Sequence, residues 1–208
     1  YVSIHKGWVT RISQRLSELE PPDARFVVVN ASANGRTTRQ ALEAMPYEVQ
    51  SQHPEVMILQ FGMNDCNYWA SDPGVPRVSP KAFEANLEEI MERAFNCGTQ
   101  TVLLNTNHPS GLTDRIMNGT TFSYQKSCEQ YNELIRRVAD RCDERVLLTD
   151  IERVFFQYTD GDPDRLTDLL MPAPDLLHLS EKGHDLYYEH LGPVIESTVQ
   201  QLLQRVPA

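Results

Sequence analysis

Cysteine is scarce in this 208-residue sequence. The four cysteines, Cys66, Cys97, Cys128 and Cys142, form no Cys-x-x-Cys pair, so a zinc ribbon or a thioredoxin-like site has no support. They are also too few to build a disulfide scaffold, and free thiols favour a reducing compartment such as the cytoplasm. A sequence that begins at Tyr1 leaves room for an upstream signal peptide, so the localisation stays open.

Long apolar runs and excess positive charge are missing as well. Runs such as Phe26–Val29 and Val56–Leu59 are far too short to span a bilayer, which argues against an integral membrane protein. The sequence has 19 Lys and Arg against 29 Asp and Glu, and its net charge of −10 disfavours nucleic acid and anionic membranes as partners. The length suits a single domain over residues 1–208, and nothing in the sequence indicates the oligomeric state.

Short apolar runs alternate with amphipathic stretches along the chain. The runs are Phe26–Val29, Val56–Leu59, Thr101–Leu104 and Arg145–Leu148, and such runs suit parallel strands covered on both faces. Apolar residues recur at helical spacing over about 6–19, 83–95, 131–139 and 180–203. This alternation predicts an α/β fold, a three-layer α/β/α sandwich around a parallel sheet.

The alternation begins with a helix instead of a strand. A doubly wound sheet normally lays its first strand near the centre, and none precedes the helical pattern from about Lys6 to Leu19. Without that strand its neighbours would lack a partner, and a sheet edge would stand open. The pattern predicts that the native polypeptide extends upstream of Tyr1 by at least a strand and a turn.

Candidate functional residues follow the apolar runs, since ligands of parallel sheets bind beyond the carboxyl ends of the strands. Gly35, after the first run, can bring its backbone N–H close to a ligand because it has no Cβ. Asn64, after the second, offers two side-chain N–H donors, and Asp65 is suited to brace the loop through backbone amides. Ordinary turns are the alternative interpretation of both segments.

Asp175 and His178 are three residues apart, so one turn can bring the carboxylate against the imidazole Nδ1. A surface turn before a helix is the common alternative. Together with an amide side chain and a glycine N–H, however, this pair supplies what acyl transfer requires: an oriented base and two oxyanion donors. The nucleophile is missing, because Ser3 follows no Gly-Asp and no strand.

Three segments resemble blocks two, three and five of the SGNH (GDSL-type) esterases and lipases. They are Asn30–Thr38, Gly62–Asp65 and Asp175–His178, and their order, spacing and positions after strands fit that family over most of the chain. The resemblance implies a flavodoxin-like α/β/α sandwich that needs neither a metal nor an organic cofactor.

The resemblance also implies roles for single residues. His178 would be the general base and Asp175 would orient it, while the Gly35 N–H and the Asn64 side chain would form part of the oxyanion hole. The family's first block, Gly-Asp-Ser, is absent, although Trp8 sits on the helix that normally follows it. The missing serine and the missing first strand are therefore expected to be one segment upstream of residue 1.

The leading hypothesis is a serine esterase whose partner is a small ester, an acetyl or short acyl group on a carbohydrate or similar alcohol. Tyr68, Trp69 and His108 are weaker candidates for the substrate pocket, and the segment Ser110–Phe122 is predicted to be a mobile lid. Two alternatives remain open. One is a non-catalytic small-molecule binding domain on the same fold; the other is a phosphate site at the helix N-terminus following Gly35.

Overall fold

The computed structural model describes residues 6–22 and 24–205, which cluster into two compact units. The first unit contains the described residues up to Asn30 together with those from Gln157 onward. The second unit is the continuous segment Ala31–Phe156. The first unit is therefore assembled from both ends of the chain.

A parallel three-stranded sheet forms the centre of the second unit. Strands β1 (Val56–Leu59), β2 (Thr101–Asn105) and β3 (Val146–Thr149) lie in the order β1-β2-β3. All five β2 residues are buried, as expected for the middle strand of a parallel sheet. The predicted α/β fold with a parallel sheet, and three of its four predicted strands, are confirmed.

A helix follows each strand of this sheet, and another precedes the first strand. Helix α2 (Thr38–Glu48) comes before β1, whereas α3 (Pro80–Asn96), α4 (Tyr124–Ala139) and α5 (Ile151–Thr159), which begins in the second unit, come after β1, β2 and β3. Helix α3 begins at Pro80, because the Ser79 side chain accepts a hydrogen bond from Ala82 N and a proline suits the first turn of a helix. The buried side chains that join α3, α4 and β2 into one core include Phe83, Leu87, Ile90, Val102, Leu103, Leu104, Tyr131, Ile135 and Val138.

The first unit is helical. It contains α1 (Trp8–Glu18), α6 (Pro163–Asp168) and α7 (Glu181–Arg205), and α7 continues through Pro193 as one helix. The Trp8 ring stacks on Tyr187 with centroids 4.8 Å apart, and Arg15 pairs with Glu196 at 3.0 Å, so α1 packs along α7. No helix in the described part of the chain is long and apolar enough to cross a membrane.

The predicted strand at Phe26–Val29 is wrong. Within residues 6–22 and 24–205, no strand pairs with this segment, and the Val27 side chain is 83% exposed. A strand exists only when a neighbour accepts and donates its backbone hydrogen bonds, and β-propensity cannot replace that partner. The apolar run therefore lies outside the sheet.

Candidate active site

The loop after β1 carries Asn64 and is fixed on both sides by helix α4. Tyr124 OH donates to Met63 O at 2.7 Å, and Ser127 Oγ donates to Cys66 O at 2.8 Å. The loop also closes on itself, because Cys66 N donates to Gly62 O at 2.8 Å. Asn64 is thus presented by a backbone whose neighbouring residues are anchored to a buried helix face.

Asp65 ties this loop to the start of α2. Its Oδ1 accepts from Thr38 N at 2.8 Å and from Thr38 Oγ1 at 2.6 Å, and its Oδ2 accepts from Gly62 N at 3.2 Å. The predicted bracing of the loop by Asp65 is confirmed. Complete burial raises the pKa of this carboxyl group, while these hydrogen bonds favour the carboxylate and oppose that rise.

Gly35 occupies a tight turn just before α2. Arg36 N donates to Ala33 O at 3.3 Å, and Gly35 has φ +75°, which is the geometry that favours glycine at the third position of a type II turn. A Cβ at Gly35 would meet nothing within 4 Å. Backbone conformation, and not only the absence of a Cβ, therefore explains the glycine here.

Two hydrogen-bond donors in these loops remain available. Among the described residues, neither the Gly35 N–H nor the Asn64 Nδ2 group donates to another protein group. The Asn64 Oδ1 atom, by contrast, accepts from Arg77 Nη1 at 3.4 Å. An unused backbone N–H and an unused amide group are the donors that can stabilise a developing oxyanion.

The segment that carries Asp175 and His178 belongs to the first unit and is a closed turn. Its ends are joined because Met171 N donates to His178 O at 2.7 Å. Asp175 Oδ1 accepts from the backbone N–H groups of Leu177 at 3.0 Å and His178 at 2.7 Å. The carboxylate is therefore fixed by the backbone of its own turn.

The same carboxylate contacts the imidazole. His178 Nδ1 lies 2.8 Å from Asp175 Oδ2 and 3.1 Å from Oδ1. Because a carboxylate only accepts hydrogen bonds, Nδ1 carries the proton in the neutral ring and Nε2 is left as the basic atom. Partial burial raises the pKa of Asp175, but hydrogen bonds from His178 and Leu177 outweigh it and lower the pKa to about 2.

The weaker substrate candidates occupy different environments. Trp69 is 56% exposed, and the Arg77 guanidinium lies 4.9 Å from the centre of its ring. Tyr68 is half-buried, with its ring edge-on to Phe122 at 5.8 Å. His108 is only 6% exposed and stacks on Phe155, which fits packing better than substrate contact. Substrate roles for these three residues stay predictions.

The segment Ser110–Phe122 is well anchored. Ser110 N donates to Gln125 Oε1 at 2.6 Å, and Met117 N donates to Phe122 O at 3.0 Å. It also contacts the loop after Asn64, because Gly74 N donates to Asn118 O at 2.8 Å. These bonds describe two loops that brace each other, which does not support the predicted mobile lid.

The N–H groups that a phosphate site at the start of α2 would need already donate to side chains of the protein. Thr37 N donates to Gln40 Oε1 at 3.0 Å, and Thr38 N is committed to Asp65. The Arg36 guanidinium pairs with Glu48, with Nη2 and Oε1 3.0 Å apart.

In the described part of the chain, no three His, Cys, Asp or Glu side chains converge as a metal-binding group.

Sequence reasoning missed Arg77, Tyr124 and Ser127, which hold the residues that it found. Arg77 contacts both Asn64 and Gly35. The two α4 residues belong to a helix whose periodicity was recognised only from Tyr131 onward. No local pattern marks such long-range anchors.

A parallel α/β sheet with an Asp-oriented histidine and uncommitted loop donors is typical of hydrolases that transfer acyl groups. A model described as the GDSL-like lipase/acylhydrolase family matches residues 3–186. The chain belongs to this family, known from its sequence blocks as SGNH, and is an ester hydrolase. The resemblance found from the sequence blocks is confirmed.

Two curated proteins illustrate the relationship. An uncharacterized lipoprotein of Bacillus subtilis, YqeF, is 27% identical over 179 residues, which is 78% of this chain and 70% of that protein. The esterase TesA of Pseudomonas aeruginosa is 28% identical over 110 residues, which is 53% of this chain and 49% of TesA.

Solved structures share the fold. An acetyl xylan esterase, AlAXEase, superposes with a TM-score of 0.71 at 22% identity, over 92% of this chain and 91% of that one. A lipase/acylhydrolase from Enterococcus faecalis superposes with a TM-score of 0.70 at 18% identity, over 92% of this chain and 85% of that one. The acetylxylan esterase Axe2 from Geobacillus stearothermophilus superposes with a TM-score of 0.68 at 20% identity, over 89% of this chain and 78% of that one.

Proposed function

We propose that this ester hydrolase is a serine esterase that removes an acetyl or short acyl group from a small ester, with a carbohydrate as the alcohol. His178 is the general base, Asp175 orients it, and Gly35 and Asn64 donate to the oxyanion. The nucleophilic serine lies upstream of residue 1, because residues 1–208 contain no Gly-Asp-Ser. Residues 1–208 then form one domain that this upstream segment completes.

The contact between His178 Nδ1 and Asp175 Oδ2, at 2.8 Å, carries the proposal. The carboxylate is held by two backbone N–H groups, so it orients the ring without needing another side chain. The His178 side chain is 44% exposed, which leaves the ring accessible to a reactant. A base with a fixed tautomer and an accessible ring is suited to proton transfer at Nε2.

The reaction follows from these groups. The serine Oγ attacks the ester carbonyl carbon while His178 Nε2 takes the hydroxyl proton, and the carbonyl oxygen becomes an oxyanion that accepts from Gly35 N and Asn64 Nδ2. Collapse of this intermediate breaks the bond to the alcohol oxygen, which leaves with the proton from His178. Water then attacks the acyl-serine, gives its proton to His178, and releases the acid as the serine regains its proton.

Two observations support a carbohydrate ester. AlAXEase and Axe2 are acetyl xylan esterases, and both share this fold. Trp69 exposes a large aromatic side chain on the loop that follows Asn64, where it is able to pack against a sugar ring.

Substitution of His178 tests the base. In the protein that carries the upstream serine, His178→Asn is expected to lower kcat for p-nitrophenyl acetate by a factor of at least about 10³, because a triad base is removed. His53→Asn is the matched control, since His53 is exposed and its Nδ1 atom lies 3.1 Å from the backbone oxygen of Cys97. Retained turnover in His178→Asn would refute the assignment.

A fluorophosphonate probe separates the enzyme from the binding-domain alternative. Labelling requires an activated serine, so the probe should modify the wild type and spare His178→Asn. Peptide mapping of the label should identify a serine upstream of residue 1. A protein that binds acetylated oligosaccharides but takes no label would be the non-catalytic domain.

Chain-length and alcohol preferences test the substrate. Acetylated xylooligosaccharides and p-nitrophenyl acetate should be hydrolysed, and p-nitrophenyl palmitate should not. Trp69→Ala should raise KM for the oligosaccharide by about 5-fold, as expected for loss of an aromatic contact of about 1 kcal/mol, and leave KM for p-nitrophenyl acetate unaffected. Equal effects on both esters would argue against a sugar contact.

A further inference from the structure

We propose that Arg77 is a positioning residue for ester hydrolysis, which orients the Asn64 amide and braces the Gly35 turn. The inference rests on the proposed function, in which these two residues stabilise the oxyanion. Arg77 does not itself touch the reacting atoms; it acts through the groups that do.

One guanidinium bridges the two loops. Arg77 Nη2 donates to Gly35 O at 2.8 Å, and Nη1 donates to Asn64 Oδ1 at 3.4 Å. The guanidinium is planar and rigid, so the separation of its two nitrogens fixes the separation of the groups that they bind. Gly35 and Asn64, which are distant in sequence, are thereby held in one arrangement.

The chemistry of the guanidinium determines which end of the amide faces the site. Arginine has donors and no acceptor, so the atom of Asn64 that faces Arg77 must be Oδ1. The Nδ2 group then points away from Arg77, and it donates to no described residue. Without Arg77 the amide would be free to turn over, which would offer an acceptor oxygen where a donor is required.

Arg77 is itself held in place. Its backbone N–H donates to Asn67 O at 2.8 Å, and its guanidinium lies over the Trp69 ring at 4.9 Å. Its Nε atom, however, is buried and has no hydrogen-bond partner within the described residues. A buried donor without a partner costs stability, so the fold keeps this arginine in spite of an energetic cost.

Two substitutions remove the donors in steps. Arg77→Met keeps an unbranched aliphatic stem but has no donor, and Arg77→Lys supplies one ammonium that lacks the planar fork. For p-nitrophenyl acetate, Arg77→Met should lower kcat by about 10- to 100-fold, since misplaced donors cost that much, with KM little changed. Arg77→Lys should lie between Arg77→Met and the wild type.

A matched control separates positioning from stability. Arg93→Met removes an arginine that pairs with the exposed Glu89 on α3, and it should change neither kcat nor the melting temperature. If Arg77→Met lowered the melting temperature by several degrees and lost activity only in proportion to the unfolded fraction, Arg77 would be merely structural.

A double-mutant cycle identifies the residue through which Arg77 acts. In an Asn64→Ala background, Arg77→Met should lower kcat far less than in the wild type, because the amide that it orients is gone. The same fold-loss in both backgrounds would overturn the proposal.

An NMR measurement that does not depend on turnover tests the role of Arg77 separately from the proposed esterase function. The Asn64 side-chain amide signals in a ¹H–¹⁵N spectrum should shift on Arg77→Met, whereas those of Asn96 on α3 should not. If Asn64→Ala retained full activity, the oxyanion role of Asn64 would fail while the spectrum still showed whether Arg77 orients the amide. Unchanged Asn64 signals in Arg77→Met would overturn the inference whatever the activity.

Discussion

Asp65 and Thr38 join the two loops that carry the proposed oxyanion donors. The carboxylate accepts from both the backbone N–H and the hydroxyl of Thr38, at 2.8 and 2.6 Å, across 27 residues of sequence. Thr38 Oγ1 in turn accepts from Asn86 Nδ2 on α3 at 2.9 Å. A chain of polar groups therefore connects the start of α2, the loop after β1 and helix α3.

Substitution of Asp65 with asparagine should weaken the fold. The new Nδ2 group would face the Gly62 N–H, a donor opposite a donor, in a fully buried place. We expect the free energy of unfolding to fall by about 1–3 kcal/mol, measured by urea denaturation. Asp72→Asn, an exposed position on the same loop, should stay within about 0.5 kcal/mol of the wild type. Equal losses in both variants would contradict this role for Asp65.

Gly62 should tolerate no side chain. Its φ is +128°, and a Cβ would lie 2.5 Å from Asn107 Nδ2, which is held by a 2.8 Å hydrogen bond to Phe61 O. Gly98, with φ +109° and nothing within 4 Å of a Cβ, controls for backbone strain alone. Gly62→Ala should therefore cost about 1–3 kcal/mol more than Gly98→Ala in thermal or urea unfolding, because overpacking adds to strain. Similar losses would mean that Asn107 moves aside.

The turn at Asp175 should depend on pH in a direction that its pKa sets. The folded-state pKa is lowered to about 2, so the stabilisation is present above the ordinary aspartate pKa and is lost as the pH falls toward 2. Asp175→Asn should lower the free energy of unfolding at pH 7, and its difference from the wild-type value should shrink between about pH 4 and pH 2. A difference that stays constant on acidification would show that the carboxylate charge does not stabilise the fold.

The cysteines should differ sharply in reactivity. Cys66 and Cys128 are buried with their sulfurs 3.3 Å apart, and burial raises the pKa of the Cys66 thiol, so both should resist alkylation in the native state. Cys97 and Cys142 are half-buried and should react first with iodoacetamide. Mass mapping of alkylated peptides gives the order, and rapid native labelling of Cys66 would contradict it.

Local sequence signals predicted the parts of the fold that local physics decides. The runs that begin at Val56, Thr101 and Arg145 form strands within one residue of the predicted bounds, and the apolar periodicity over 83–95 falls inside α3. The run at Phe26–Val29 has the same composition but forms no strand, because pairing depends on a neighbour that composition does not reveal.

In the candidate site, too, the sequence predicts contacts between neighbouring residues and misses contacts between distant ones. Asp175 and His178 are close in sequence, so a single turn brings their side chains together and the pattern reveals it. Arg77 reaches Gly35 across 42 residues, and only the folded chain shows that contact. His108 follows a strand as a pocket residue would, yet its ring is packed on Phe155. Position after a strand therefore does not determine where a side chain points.

The register of the sheet bears on how the protein reaches its native state. Val56 pairs with Thr101, and Val102 pairs with Val146, so each ladder joins residues separated by a whole helix and its connections. The segment between two paired strands must close into a loop, at a cost in entropy, before any hydrogen bond between those strands can form. We therefore expect refolding to be slow compared with a helical bundle of equal size. During that delay the valines at 27–29 and the edges of the sheet are open to other chains, so dilute, cool conditions should favour recovery of the native protein over aggregation.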